Sequence, residues 1–124
     1  HKIMREIKNT QKLFINPDMQ LDEILKFMQL GQEKILVVVD ENNKLLGTIT
    51  DGDIRRMLNK HDNISALTAK DIMTSNPKTV SPDVLAIKAL ESMQEKGISQ
   101  LLVMDGDEYV GVVHIHNLIN EGIL

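Results

Sequence analysis

The chain repeats itself, and that repetition constrains its fold more than any single motif does. The first half runs Asn16-Pro17-Asp18, an amphipathic stretch, Ile35-Leu36-Val37-Val38-Val39-Asp40, then Gly47-Thr48-Ile49-Thr50-Asp51-Gly52-Asp53-Ile54. The second runs Ser81-Pro82-Asp83, a similar stretch, Leu101-Leu102-Val103-Met104-Asp105, then Gly111-Val112-Val113-His114-Ile115-His116-Asn117-Leu118. Two copies of one unit, residues 1–62 and 63–124, predict a pseudo-two-fold pair with one pocket per copy. The apolar frame matches between the copies, whereas the polar residues that close the last strand differ. The two pockets are therefore expected to recognise different things.

Each copy reads as β-α-β-β-α, an α/β (α+β) architecture. Leu21, Ile24, Leu25 and Met28, and again Ala86, Ala89, Leu90 and Met93, recur at the spacing of one buried helical face. Pro17-Asp18 and Pro82-Asp83 read as helix entries, where proline's fixed φ and an acidic first turn are favoured, and Gly31 and Gly97 read as exits. Residues 35–39 and 45–50, and then 101–104 and 109–114, form two predicted hairpins. A second helix follows each, carrying Ile54, Met57 and Leu58, or Leu118 and Ile119 with Gly122 as its stop. Short strands are expected at residues 13–15 and 79–80, and residues 59–68 read as a polar loop. At 124 residues the two halves are expected to share one core, and with aromatics at 2% that core is aliphatic and Met-rich, Met28, Met57 and Met93 included.

Composition removes several functions. The absence of cysteine excludes a disulfide framework and thiolate catalysis, and fits a reducing cytosol. Fourteen basic against eighteen acidic residues, with no basic cluster beyond Arg55-Arg56, argue against nucleic-acid binding. The longest aliphatic run, residues 35–39, is far short of a membrane span, and no signal-peptide pattern opens the chain, so a cytoplasmic protein without membrane association is expected. The first residue is His1 and not Met, which reads as a fragment of something longer.

Thr50 and Asp53 stand three residues apart where a strand gives way to a helix. They suit a capping box, and the same geometry suits a clamp on a ribose diol, with the helix amides nearby for phosphate. Asp51 lies between them, and Arg55 and Arg56 follow as guanidinium forks that match phosphate or carboxylate, or that face water. In the second copy His114 aligns with Thr50 and Asn117 with Asp53. His114 and His116 invite a metal reading, yet no third ligand has a diagnostic spacing, and a helix beginning near His116 would turn the two rings apart. Imidazoles lining a ligand cleft are preferred to a metal site. The turn Asp105-Gly106-Asp107-Glu108 lacks the alternation of a calcium loop and reads as a solvated hairpin turn.

The Gly, two apolar residues, Thr, two residues, Asp pattern within a β-α-β-β-α unit resembles the CBS domain, and two copies resemble a Bateman module. That resemblance implies a regulatory module that binds adenosine nucleotides such as AMP or ATP, needs no cofactor, and forms homodimers through its CBS pairs. Ala69-Lys70-Asp71-Ile72-Met73-Thr74, Asn76-Pro77, Thr50-Asp51-Gly52-Asp53-Ile54-Arg55-Arg56 and the ending from Gly111 to Ile123 further resemble the C-terminal CBS pair of bacterial arabinose 5-phosphate isomerases. This narrower likeness implies an N-terminal sugar-isomerase domain in the parent, absent here, that interconverts ribulose 5-phosphate and arabinose 5-phosphate toward Kdo and lipopolysaccharide. It suggests feedback by CMP-Kdo, whose phosphate and carboxylate suit Arg55, Arg56, His114 and His116. The family usually ends His-x-His-Asp-Leu, and Asn117 replaces that aspartate, keeping an acceptor without charge. A structural dimerisation module without ligand, or the CBS pair of a sugar nucleotidyltransferase, are the alternative readings.

Overall fold

The computed structural model describes residues 1–7, 13–31, 35–63 and 65–122. Ile64, inside the expected 59–68 loop, and Ile123, in the quoted ending, lie outside them. The chain divides into two packing units, Phe14–Pro77 and the combination of His1–Leu13 with Lys78–Leu124.

In the first of these units, strands β1 (Phe14–Ile15), β2 (Ile35–Val39) and β3 (Leu45–Thr50) form a sheet in that order, β1 parallel and β3 antiparallel to β2. Helix α1 (Leu21–Gly31) makes the crossover that a parallel pair requires, and α2 (Asp51–Lys60) follows the hairpin. A short helix α3 (Ala69–Ile72) closes the unit. The other unit repeats the plan with β4 (Thr79–Val80), α4 (Ala86–Lys96), β5 (Gln100–Asp105), β6 (Glu108–His114) and α5 (Ile115–Asn120), opened by a 3-10 turn at Met4–Glu6.

Each unit has its own apolar cluster, where chain length had suggested one shared core. Ile15, Leu21, Ile24, Met28, Leu36, Val38, Ile49 and Ile54 pack with Ala69 and Ile72 of α3. Ala86, Ala89, Leu90, Met93, Leu101, Val103, Val113 and Leu118 pack with Met4 and Ile7. Each sheet is thus completed by the segment that precedes the other repeat. The equivalence extends to the backbone, because the Lys70 amide donates to the Pro17 carbonyl at 3.0 Å and the Arg5 amide to the Pro82 carbonyl at 2.8 Å.

Three expectations need correction. Pro17-Asp18 and Pro82-Asp83 are not in the first helical turn but in tight turns ahead of it, held by Asp18 N–H to Asn16 Oδ1 at 2.9 Å and Asp83 N–H to Ser81 Oγ at 3.2 Å. Leu25, Leu58 and Ile119 lie outside the apolar clusters at 40–49% exposure, so the buried faces are narrower than their spacing suggested. Helix α2 runs through Lys60, and only then does the chain enter the loop. The helices at 4–6 and 69–72 have less than two turns, too few for a period to register. Gly97, at φ 64°, ends α4 with its amide on Met93 and Gln94, as the exit reading requires.

Candidate functional site

Thr50 caps α2. Its hydroxyl accepts from the Asp53 amide at 3.4 Å, and Asp53 Oδ2 accepts the Thr50 amide at 2.8 Å and hydroxyl at 3.0 Å. Asp53 is 3% exposed, which a carboxylate tolerates only when every lone pair is engaged. Its Oδ1 accepts from the Thr74 hydroxyl at 2.5 Å and pairs with Arg56 Nη2. Thr74 was not singled out as a site residue. No local pattern links it to a carboxylate 21 positions away, and what brings it there is a backbone bridge, Thr48 N–H to Thr74 O at 3.0 Å and Thr74 N–H to Thr48 O at 2.8 Å. Gly47 permits that approach, since a Cβ there would lie 2.6 Å from the Thr74 carbonyl oxygen and 2.9 Å from Met73 Sδ. Asp51 and Arg55 are exposed on the same first turns of α2.

The second corner has the same frame with different chemistry. His114 caps α5, its amide donating to Asn117 Oδ1 at 2.8 Å, and His114 Nδ1 accepts the His116 amide at 3.2 Å. Asn117 thereby performs the capping half of the role Asp53 has in the first corner. The rings of His114 and His116 do not diverge: they stack, with centroids 4.7 Å apart and planes at 17°. Folding the cap's ring back over the first turn to reach the His116 amide is what brings them together. Among the described residues no set of three His, Cys, Asp or Glu is placed to hold a metal ion.

A family model described as the CBS domain matches this chain twice, over residues 4–60 and 69–123. The chain belongs to the CBS-domain family. The CBS pair is 33% identical over 110 residues to arabinose 5-phosphate isomerase KdsD of Yersinia pestis, covering 89% of this chain and 34% of that protein. It is 37% identical over 106 residues to an uncharacterized protein of Rickettsia prowazekii, covering 86% and 33%. The chain therefore spans about a third of the length of the curated relatives it matches. Among solved structures, CBSX2 in complex with AMP superposes with a TM-score of 0.81 at 18% identity over 99% of this chain and 97% of that one, a likeness of fold.

The Phe14–Pro77 unit also has a groove at the opposite end of β2 from its own Thr50–Asp53 corner. About 570 Å³ in volume, it is lined by Phe14 to Met19 and by Val39, Asp40 and Glu41. Thr50 pairs with Ile35 at one end of β2, whereas the groove lies beyond Val39 at the other, about 13 Å along the strand. None of the eight candidate ligand residues lines it. No described helix is long and apolar enough to cross a membrane.

Proposed function

We propose that this CBS pair is the regulatory, ligand-sensing part of a cytoplasmic arabinose 5-phosphate isomerase, that it binds a nucleotide or sugar nucleotide such as AMP, ATP or CMP-Kdo, and that it pairs with a second copy. The observation that carries the ligand reading is the buried Asp53 carboxylate held at a helix N-terminus beside the exposed guanidinium of Arg56. Likeness to the isomerases supports the parent, and likeness to the fold of an AMP complex supports the ligand class.

Arg56 is 63% exposed, so it is the partner Asp53 exchanges most cheaply. A ribose diol donating to Asp53 Oδ1 displaces Arg56, which then meets the phosphate that the α2 amides also attract. Arg55 and Asp51 border the same turn. At the second corner His114, His116 and Asn117 offer imidazole and amide groups with no fixed negative charge, which suits a phosphate or sugar-acid carboxylate. A ligand that binds one arrangement of the pair more tightly shifts the attached enzyme by that difference.

One observation favours the structural alternative: both capping boxes are satisfied without a ligand. Thermal denaturation with AMP, ATP, CMP and CMP-Kdo separates the two. A binder at a hundred times its dissociation constant stabilises by about 2.7 kcal/mol, and that gain is expected to vanish in Thr50→Ala or His114→Ala. No shift with any of the four leaves the scaffold reading. A shift that survives both substitutions overturns the site.

A further inference from the structure

The two units answer one question differently: what neutralises the acidic end of the parallel strand pair. Strand pairing aligns Ile15 with Val38 in one unit and Val80 with Val103 in the other, so Asp18 corresponds to Asp83 and Asp40 to Asp105. Both hairpins also shift register at the same place, between Val38 and Val39 and between Val103 and Met104. In the second repeat's unit, Arg5 Nη2 donates to Asp83 Oδ1 at 2.8 Å. Its guanidinium is held above its ordinary value by that hydrogen bond and the Asp83 charge, and more weakly by Asp105. The second repeat's unit thus holds a guanidinium hydrogen-bonded to Asp83, with Asp105 near enough to add charge but making no bond to it.

In the first repeat's unit the position of Arg5 belongs to Lys70, whose amide makes the matching bond to Pro17 but which forms no ion pair among the described residues. The acidic pair is instead left facing the 570 Å³ groove, and Glu41 replaces Gly106 to add a third carboxylate. Asp40 Oδ1 is engaged by the Asn42 and Lys44 amides at 2.8 and 3.0 Å, whereas the side chains of Asp18 and Glu41 have no partner among the described residues. Phe14, Pro17, Met19 and Val39 supply an apolar floor. The volume is within the range of about 300–1,000 Å³ typical of small-molecule sites. Carboxylates spread over such a floor, without the convergence a metal ion needs, suit a planar organic cation on an alkyl stem.

We infer that the groove between the Asn16–Met19 turn and Val39–Glu41 binds a small guanidinium compound, by the contact Arg5 makes with Asp83 in the other repeat. This site is independent of the nucleotide corners and stands or falls without them.

The test is an amide NMR titration of the 124-residue chain with agmatine at low ionic strength, where surface charge is least screened. Saturable shifts are expected at residues 14–19 and 39–41, weakened about tenfold or more in the Asp18→Asn, Glu41→Gln double variant, whose substitutions are exposed and leave the remaining spectrum in place. Arg5→Ala is expected to open a second agmatine site, read as new shifts at Asp83 and Asp105. Absence of saturation, shifts elsewhere, or undiminished binding by the double variant overturns the proposal. Equal affinity for 1,4-diaminobutane, which keeps both positive charges of agmatine but lacks the guanidinium, overturns the assignment to a guanidinium.

Discussion

The Thr74 hydroxyl donates to Asp53 Oδ1 at 2.5 Å, so a residue from the segment ahead of the second repeat completes the corner that ends the first. Asp53→Ala leaves the Thr50 amide without its acceptor in a part-buried setting and is expected to cost about 1–3 kcal/mol. Asn117→Ala removes one cap bond from the more exposed corner and is expected to cost about 1 kcal/mol. Urea unfolding of both variants checks the order, and equal losses would contradict the deeper burial of Asp53, since Asn117 is only half-buried.

Gly47→Ala drives a methyl to within 2.6 Å of the Thr74 carbonyl oxygen. Backbone must move to relieve it, at about 1–3 kcal/mol. Hydrogen exchange is expected to quicken at the Thr48 and Thr74 amides first, because those two bonds hold the bridge. Gly52→Ala meets only ordinary contacts, 3.6 Å to Thr50 Oγ1, and is expected to fold unchanged.

Asp71 titrates below the ordinary carboxylate range, held down first by the Thr68 amide at 3.0 Å and then by the Thr68 hydroxyl at 3.1 Å. Because its folded value is depressed, the stability it supplies is present above the unfolded value near 3.9 and fades as pH falls through the lower folded value. Exposure keeps that contribution small. In Thr68→Ala, carboxyl NMR is expected to find Asp71 closer to its ordinary value yet still below it, since the amide remains. An unmoved titration would dismiss the hydroxyl's part.

Tyr109, 1% exposed, donates its hydroxyl to the Leu13 carbonyl at 2.9 Å. Tyr109→Phe is expected to lose about 0.5–1.5 kcal/mol in thermal or urea unfolding, with the sheet unchanged by circular dichroism. A neutral result would mean that Leu13 finds another donor.

What the sequence made legible was what recurs at short range. The hairpins at 35–50 and 100–114 and the buried faces of α1 and α4 follow from alternation and helical spacing, and His114 and Asn117 align with Thr50 and Asp53 at the same cap positions. Illegible were the relations made by pairing between distant segments. Thr74 meets Asp53 through a bridge to Thr48, and Asp18 faces the groove with Glu41 because β1 lies parallel to β2. Leu25, Leu58 and Ile119 show the opposite failure, in which spacing overstates burial.

The segment leading each repeat is packed into the unit built by the other, so what was duplicated and what folds are out of phase by one step. Cutting the chain between residues 62 and 63 would separate each three-stranded sheet from the short helix that finishes its core. A lone repeat carries a helix with nowhere of its own to dock and a sheet wanting one. Such a piece is complete only in company, and fusing two of them in one chain makes that company permanent.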